Sequence, residues 1–305
     1  MENQPLVTIY TITRNRADLL PRAMKSILGQ TYKNIEYLII DSASTDNTED
    51  VVNSFHDDRI RYIKLEENKT FGACVNMAFD LATGKYVSEL DDDDEYHLDK
   101  IEKQVALFET LPDDYGMVYC WMTYFDNVTK EKLKEQKATF KGNVYKDSVE
   151  APLVSGTPTL LIRRSLFHLI GGYKESQEIG IESDWEFAAR ITKFSKVDFV
   201  PESLVNVYEN HGHQRMSVSG YYRDFWIRNI KFHEYMLNSF RDVFEEFPSK
   251  AQFHLYMLVR SYCMIGQLGK ATSLYLKLLR SKPTLKNILS LFYSFYQRIK
   301  YGTKD

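Results

Sequence analysis

The chain has 305 residues, 44% hydrophobic and 27% charged, enough for one sizeable α/β domain plus an appendage and too apolar for a disordered protein. Three separated cysteines, Cys74, Cys120 and Cys263, form neither a CxxC pair nor an even-numbered framework, which excludes a disulfide scaffold and structural zinc and points to a reducing compartment. The net charge of −3 is uneven: from Gly266 onward eight basic residues face one acid, so the tail carries +7 and the rest −10.

The polar opening MENQPLVTIY lacks the basic and apolar regions of a secretory leader, so a cytoplasmic location is expected. Val7 to Ile12 reads as a strand, and Leu19 to Leu28 as a helix with Leu20, Met24, Ile27 and Leu28 at helical spacing. A strand at Ile35 to Ile40 ends at Asp41, and Ser44-Thr45-Asp46 offers N-cap residues for a helix reaching Phe55. Ile60 to Leu65 is a third strand, Phe71 to Ala82 a third helix, and Tyr86 to Leu90 a fourth strand. Such alternation with short connections predicts parallel strands joined by right-handed crossovers, as in nucleotide-binding half-domains.

The fourth strand runs into Asp91, Asp92, Asp93 and Asp94, and His97 to Leu111 has helical spacing, so this tetrad is expected to close a strand and open a helix. Past Tyr115 the alternation loosens: Gly116 to Phe125 reads as strand, residues 126 to 150 as polar loop, Pro158 to Arg163 as a short strand, and Gly171-Gly172 as a turn. From about Tyr221 the pattern is helical, interrupted at Pro248 and Pro283. MIGQLGKATSLYLKLLRSKPT has the form of one tetratricopeptide hairpin, too little for a stable array. No window of about eighteen apolar residues predicts a membrane span.

Four adjacent carboxylates repel one another unless a cation offsets them. At the carboxyl end of a strand, where ligands of α/β sheets bind, magnesium or manganese suits them, since these hard ions take carboxylate oxygens, waters and substrate phosphates. A calcium loop is excluded at its sixth position, where Tyr96 replaces the required glycine. No GxGxxG follows the first strand and no GxxxxGK[ST] occurs, so dinucleotide and P-loop chemistry lack their phosphate cradles.

Four segments in order, VTIYTITRNRADLLPRAMKSILGQTYKNIEYLIIDSASTDNT, GKYVSELDDDDEY, GTPTLLIRRSLFHLIGGYKE and SDWEFAARI, resemble family 2 nucleotide-sugar glycosyltransferases over about residues 5 to 217. The resemblance implies an α/β GT-A nucleotide-diphospho-sugar transferase fold: a mostly parallel central sheet flanked by helices, with a C-terminal helical extension. The catalytic domain would span 1–220 and the extension 221–305. It also implies metal-dependent, inverting transfer of a sugar from a nucleotide-diphosphate donor, with uridine diphosphate the expected carrier. The acceptor would be a hydroxyl on a glycan or lipid-linked saccharide of bacterial surface polysaccharide. By position, Thr13 and Arg14 correspond to the nucleobase end of the first strand and Asp41 to the carboxylate that accepts from uracil. Asp91 and Asp92 correspond to the ribose side of the acidic motif, and Asp93 to its ligand for Mn2+ or Mg2+. Asp92 fills a position that is usually small, Ile12 one that is usually proline or threonine, and Arg14 one that is often aromatic; an arginine plane can stack there instead.

Inversion needs a general base to take the acceptor's proton. The resemblance assigns that role to Asp184 of IESDWEFAAR, with Ser183 replacing the usual glutamate and Glu182 able to assume part of its role; without the resemblance, Asp184 reads as an N-capping residue. In YENHGHQRMSVS, His211 stands six residues before Ser217, matching a family histidine directed at metal or diphosphate, with His213 and Arg215 in reserve. Trp121, Tyr124, Tyr173 and Trp185 suit either sugar stacking or core packing. The basic tail, with ILSLFYSFYQRIKYG, suits either in-plane binding at an anionic membrane surface or a cap on the protein, and no nucleic-acid partner is expected. Two rival readings remain: a nucleotidyltransferase, although TITRNRADLL lacks its glycine-rich loop, and an inactive sugar-nucleotide-binding protein, although metal motif and base are both intact.

Overall fold

The computed structural model describes residues 4–153, 156–180, 183–213, 223–281 and Tyr296. The first half follows the expected alternation: β1 (Val7–Thr13), α1 (Leu20–Leu28), β2 (Ile35–Asp41), α2 (Thr48–Asn53), β3 (Ile60–Lys64), α3 (Phe71–Leu81) and β4 (Tyr86–Glu89). Helix α1 buries Leu20, Ala23, Met24 and Ile27 on one side, and Thr70 caps α3 by accepting the Ala73 N–H at 3.2 Å. Strand β1 pairs in parallel with β2 and β4, and β2 with β3, so Thr13 lies opposite Asp41 and Asp41 opposite Lys64.

The acidic tetrad does not open a helix directly. A two-residue strand, β5 (Glu95–Tyr96), comes first, and α4 (Lys100–Glu109) begins only after it. Next comes β6 (Tyr115–Asp126), and then, where polar loop is expected, β7 (Lys132–Gln136) folds back on β6. Its KLKEQ residues are all exposed, so no buried face gives the alternation a strand usually betrays. After α5 (Tyr145–Ser148), β8 (Leu161–Arg163), α6 (Arg164–Leu169), α7 (Ser176–Ile179) and α8 (Ser183–Phe194) comes β9 (Lys196–Glu209), the longest strand. Pro201 would normally exclude an internal strand position. Here the ladder with β6 passes from Cys120↔Val200 to Trp121↔Ser203, leaving Pro201 and Glu202 as an exposed bulge. Helices α9 (Arg223–Ser239), α10 (Arg241–Glu246), α11 (Gln252–Met264) and α12 (Leu268–Ser281) follow.

One nine-stranded sheet runs β3-β2-β1-β4-β8-β6-β9-β5, with β7 beside β6. Its longest ladder, β6 with β9, is parallel, while β8, β5 and β7 pair antiparallel. The chain divides into two compact units. The first comprises Met1–Val144, Leu153–Tyr173 and Arg190–His213, and the second Tyr145–Pro152, Lys174–Ala189 and Gln214–Asp305. In the first, Val7, Ile9, Tyr37, Ile39 and Tyr86 from the sheet pack with Met24, Ile27, Ile101 and Phe108 from α1 and α4. In the second, Phe232, Met236, Leu255 and Leu278 build a helical core around Trp185. All three cysteines are buried and none forms a disulfide with another. Among the described residues no helix is long and apolar enough to cross a membrane. ILSLFYSFYQRIKYG lies outside the described residues except for Tyr296, as do Lys282, Lys286 and Lys304.

Candidate functional site

Parallel pairing gathers the carboxyl ends of β1, β2 and β4 in the first unit. The loop after β1 turns at Asn15, whose φ of +52° is a conformation asparagine tolerates better than most residues. It is tied to the loop after β2: Asn15 N–H donates to Ser44 Oγ at 2.9 Å, Thr45 N–H to Asn15 Oδ1 at 2.7 Å, and Ala17 N–H to Asp46 Oδ2 at 3.1 Å. Asp41 is fully buried and holds that second loop, accepting the Ser44 N–H at 2.8 Å and the Tyr62 hydroxyl at 2.5 Å. On the other side of β1, Leu90 N–H donates to the Tyr10 carbonyl at 2.9 Å and Thr11 Oγ1 to the Leu90 carbonyl at 2.8 Å, fixing where the tetrad begins.

Asp91 is half-buried, while Asp92, Asp93 and Asp94 are 3%, 8% and 3% exposed. One oxygen from each of Asp91, Asp93 and Asp94 lies within 4.8 Å of the others, a spacing one hard cation can bridge. Asp92 instead faces Arg16, whose Nη1 lies 2.7 Å from Asp92 Oδ1 and 3.1 Å from Asp93 Oδ2. Burial pushes the Asp92 carboxyl up to about 6, the neighbouring Asp93 adds to this, and Arg16 opposes it. Thr13 Oγ1 is buried beside Asp92 without a hydrogen-bond partner of ordinary geometry. Arg22 sits behind the loop, donating to Asn127 Oδ1 at 2.8 Å and to the Asp93 carbonyl, with its guanidinium 3.8 Å over the Tyr208 ring.

Strand β5 explains how a residue over a hundred positions away reaches the tetrad. Its pairing of Glu95 with Asn206 brings the end of β9 alongside, and Tyr208 N–H donates to Asp94 Oδ1 at 3.1 Å. Three residues on, His211 Nε2 lies 2.9 Å from Asp93 Oδ2, with only 1% of its side chain exposed. The His213 N–H donates to His211 Nδ1 at 3.3 Å, so in a neutral ring Nε2 bears the proton, close to Asp93 Oδ2 but not aligned on it as a hydrogen bond. His213 itself lies 3.1 Å from Asp18.

Thr13, Asp41, the tetrad and His211 thus come together in one unit, and Arg14 stands exposed beside Thr13. Asp184 belongs to the other unit, as the exposed second residue of α8. Its neighbour Trp185 is buried, donates its indole N–H to the Ser148 carbonyl at 2.6 Å and stacks on His254, so it packs a core. Tyr173 is likewise buried, against Phe71, while Trp121 and Tyr124 are half-buried under Lys137 and Lys134. Glu182, Arg215, Ser217 and the Ser183 side chain lie outside the described residues. Sequence reasoning missed Arg16, Arg22 and the bridging position of Asp94. The available signal was the arginine of RNR directly after a strand that ends beside an acidic tetrad.

Residues 8–169, more than half of the chain, match Glycosyl transferase family 2, and the chain belongs to that family. WcaA of Escherichia coli (strain K12), assigned by name as a glycosyl transferase of colanic acid biosynthesis, is 30% identical over 238 residues, 72% of this chain and 78% of WcaA. The UDP-Glc:alpha-D-GlcNAc-diphosphoundecaprenol beta-1,3-glucosyltransferase WfaP of Escherichia coli is 40% identical over 105 residues, 34% of this chain and 42% of WfaP. An uncharacterized glycosyltransferase of Rickettsia prowazekii (strain Madrid E) is 31% identical over 205 residues, 66% of this chain; the match spans 63% of its length. The fold is the GT-A fold. S. aureus TarS 1-349 in complex with UDP-GlcNAc superposes with a TM-score of 0.66 at 14% identity, over 97% of this chain and 92% of that one. The mannosyltransferase PcManGT of Pyrobaculum calidifontis, in complex with GDP-Man and Mn2+, superposes at 0.58 and 18% identity, over 98% and 83%.

Proposed function

We propose that the chain is an inverting, metal-dependent glycosyltransferase that moves a sugar from a UDP-sugar to a hydroxyl of a glycan or lipid-linked saccharide in bacterial surface polysaccharide synthesis. The observation that carries this is the group of Asp91, Asp93 and Asp94 at the carboxyl end of a parallel strand, an all-oxygen donor set of the kind manganese and magnesium prefer. These three would hold the ion, with His211 beside Asp93; when bound, it supplies neutralisation of a diphosphate leaving group. Membership of the family and the names of its relatives, one taking UDP-Glc and a lipid-linked diphosphate, support the donor and acceptor classes.

Thr13, Arg14, Asp41, Asp91 and Asp92 form the donor-binding set in this reading. Thr13 would help to shape the donor-binding side of the acidic loop from its buried place beside Asp92, and the exposed Arg14 guanidinium offers a plane for the base. Asp41 already accepts from Ser44 and Tyr62, so a uracil N–H would take one of its remaining lone pairs. Asp184, an exposed carboxylate opening α8, takes the proton of the acceptor hydroxyl as that oxygen attacks. The reading places the catalytic domain in 1–220 and the helical extension in 221–305, in the cytoplasm, with the basic tail against an anionic membrane surface.

A thermal-shift panel of nucleotide sugars with and without manganese tests it. A ligand that binds only the native state at about a hundred times its dissociation constant adds roughly 2.7 kcal/mol of stability. Stabilisation by a UDP-sugar that disappears when manganese is chelated is expected. A panel in which no nucleotide sugar raises the melting temperature removes the reading.

A further inference from the structure

We infer that Arg16 is the resident counter-cation of the acidic loop, a positioning residue that gives up its carboxylate partners to a metal ion and turns to the donor's diphosphate. The inference rests on the transferase reading above and adds a residue to it.

The backbone of Arg16 is fixed. Its carbonyl accepts the N–H groups of Leu19 and Leu20 at 3.0 and 3.1 Å, and its neighbours Asn15 and Ala17 are tied to Ser44 and Asp46. The side chain reaches the acidic loop through Nη1, which lies 2.7 Å from Asp92 Oδ1 and 3.1 Å from Asp93 Oδ2, and it is 19% exposed. Arg22 by contrast donates to the Asn127 side chain and to a backbone carbonyl beneath the Tyr208 ring. Arg16 therefore pairs directly with tetrad carboxylates from a fixed backbone, whereas Arg22 does not.

Asp93 shows why it would turn. Its Oδ2 accepts from Arg16 at 3.1 Å and has His211 Nε2 within 2.9 Å, so two nitrogens already crowd this oxygen. A divalent cation among Asp91, Asp93 and Asp94 would repel the guanidinium through a few ångströms of partly buried space, where charges are weakly screened. A diphosphate arriving with the ion offers a guanidinium several oxygens at matched spacing. Asp92 Oδ1, 2.7 Å away, can keep the arginine close during the exchange.

An exchanging cation and a rigid strut leave opposite signatures. Without the positive charge at position 16, manganese should bind the nucleotide-free protein more tightly, by several-fold. UDP should bind the manganese-saturated protein more weakly, by about tenfold, the usual scale of one charge-assisted hydrogen bond. The experiment is two calorimetric titrations, manganese into metal-free protein and UDP into manganese-saturated protein, on wild type, Arg16→Ala and Arg16→Lys, with circular dichroism as a check of folding. Arg16→Lys should keep the wild-type manganese affinity and lie between the others for UDP. If Arg16→Ala weakens both ligands, Arg16 is a strut, and if it changes neither, Arg16 is a bystander; either result overturns the inference. Should Arg16→Ala fail to fold, Arg16→Gln, which keeps much of the volume and loses the charge, gives the same pair of readings. A wild-type protein that binds neither manganese nor UDP would instead refute the transferase site, a distinguishable failure.

Discussion

The two units bury polar side chains to different ends. In the strand-rich unit, Asp92, Asp93 and Asp94 crowd carboxylates at the end of β4, and an arginine, a histidine and a backbone amide are arranged around them. In the helix-rich unit, the buried His233 and His254 are paired with each other. His254 Nε2 lies 2.7 Å from the Val149 carbonyl and must donate its proton there, so Nδ1 accepts from His233 Nδ1–H at 2.8 Å. Concentrated charge is costly to bury unless something compensates it, whereas a neutral pair with matched donor and acceptor packs like any core group. Charge kept near the surface of a core thus marks a place for a ligand, and neutral pairing marks architecture.

As the proposed base, Asp184 would break that division by placing a functional carboxylate in the packing unit. Asp184→Asn should reduce sugar transfer about 10²- to 10⁴-fold, the range for loss of a general base, with little change in melting temperature since asparagine matches aspartate in size and serves a helix start equally well. Steady-state rates with a saturating donor, beside a melting curve, measure both, and full activity in this variant would return Asp184 to a helix-capping role. Asp93→Asn sharpens the contrast from the other side. Losing a ligand that helps neutralise a leaving group is worth several kcal/mol, so turnover should fall about 10²- to 10³-fold while the protein still folds. In the thermal-shift assay this variant should also lose manganese-dependent stabilisation by the donor. Retention of both turnover and manganese dependence would remove Asp93 from the metal site.

The same division explains how much was legible in the sequence. Strands β1, β2 and β4 announce themselves because almost wholly buried parallel strands are rich in apolar, aromatic and β-branched residues, and the tetrad because four carboxylates have no cheap structural role. Strand β9 is hidden by Pro201 and Glu202, which only a bulge against β6 accommodates, and β5 by being two residues long. Lys100 shows the limit most clearly. A lysine at a helix start reads as solvated, yet it is fully buried, donates to Ser88 Oγ at 3.0 Å and lies 4.0 Å over the Tyr96 ring, and burial holds its ammonium down to about 8. Arg16 and Asp92 are 76 residues apart. No local periodicity encodes such a pairing.

The smallest expected effect concerns the histidine pair, and it turns on acid rather than on a ligand. Burial holds both imidazoles below their ordinary range, and His254 lowers His233 further. In the unfolded chain each would titrate near 6.5, so as pH falls below that value the unfolded state takes up protons that the folded state refuses. The stability these groups contribute is therefore complete above about pH 6.5 and is lost as pH falls below it, by up to about 1.4 kcal/mol per pH unit for each ring. The urea midpoint should drop between pH 7.5 and 5.5. His233→Leu separates this from general acid sensitivity. His233 Nε2 has no hydrogen-bond partner among the described residues, so the only polar bond the substitution breaks there is the one to His254 Nδ1. Leaving that acceptor unpaired should cost roughly 1–3 kcal/mol at pH 7.5, yet the variant's midpoint should fall less steeply toward pH 5.5, because one of the two refused protons is gone. A variant that is weaker throughout but just as steep would mean that the pair is not what makes the helical unit acid-sensitive.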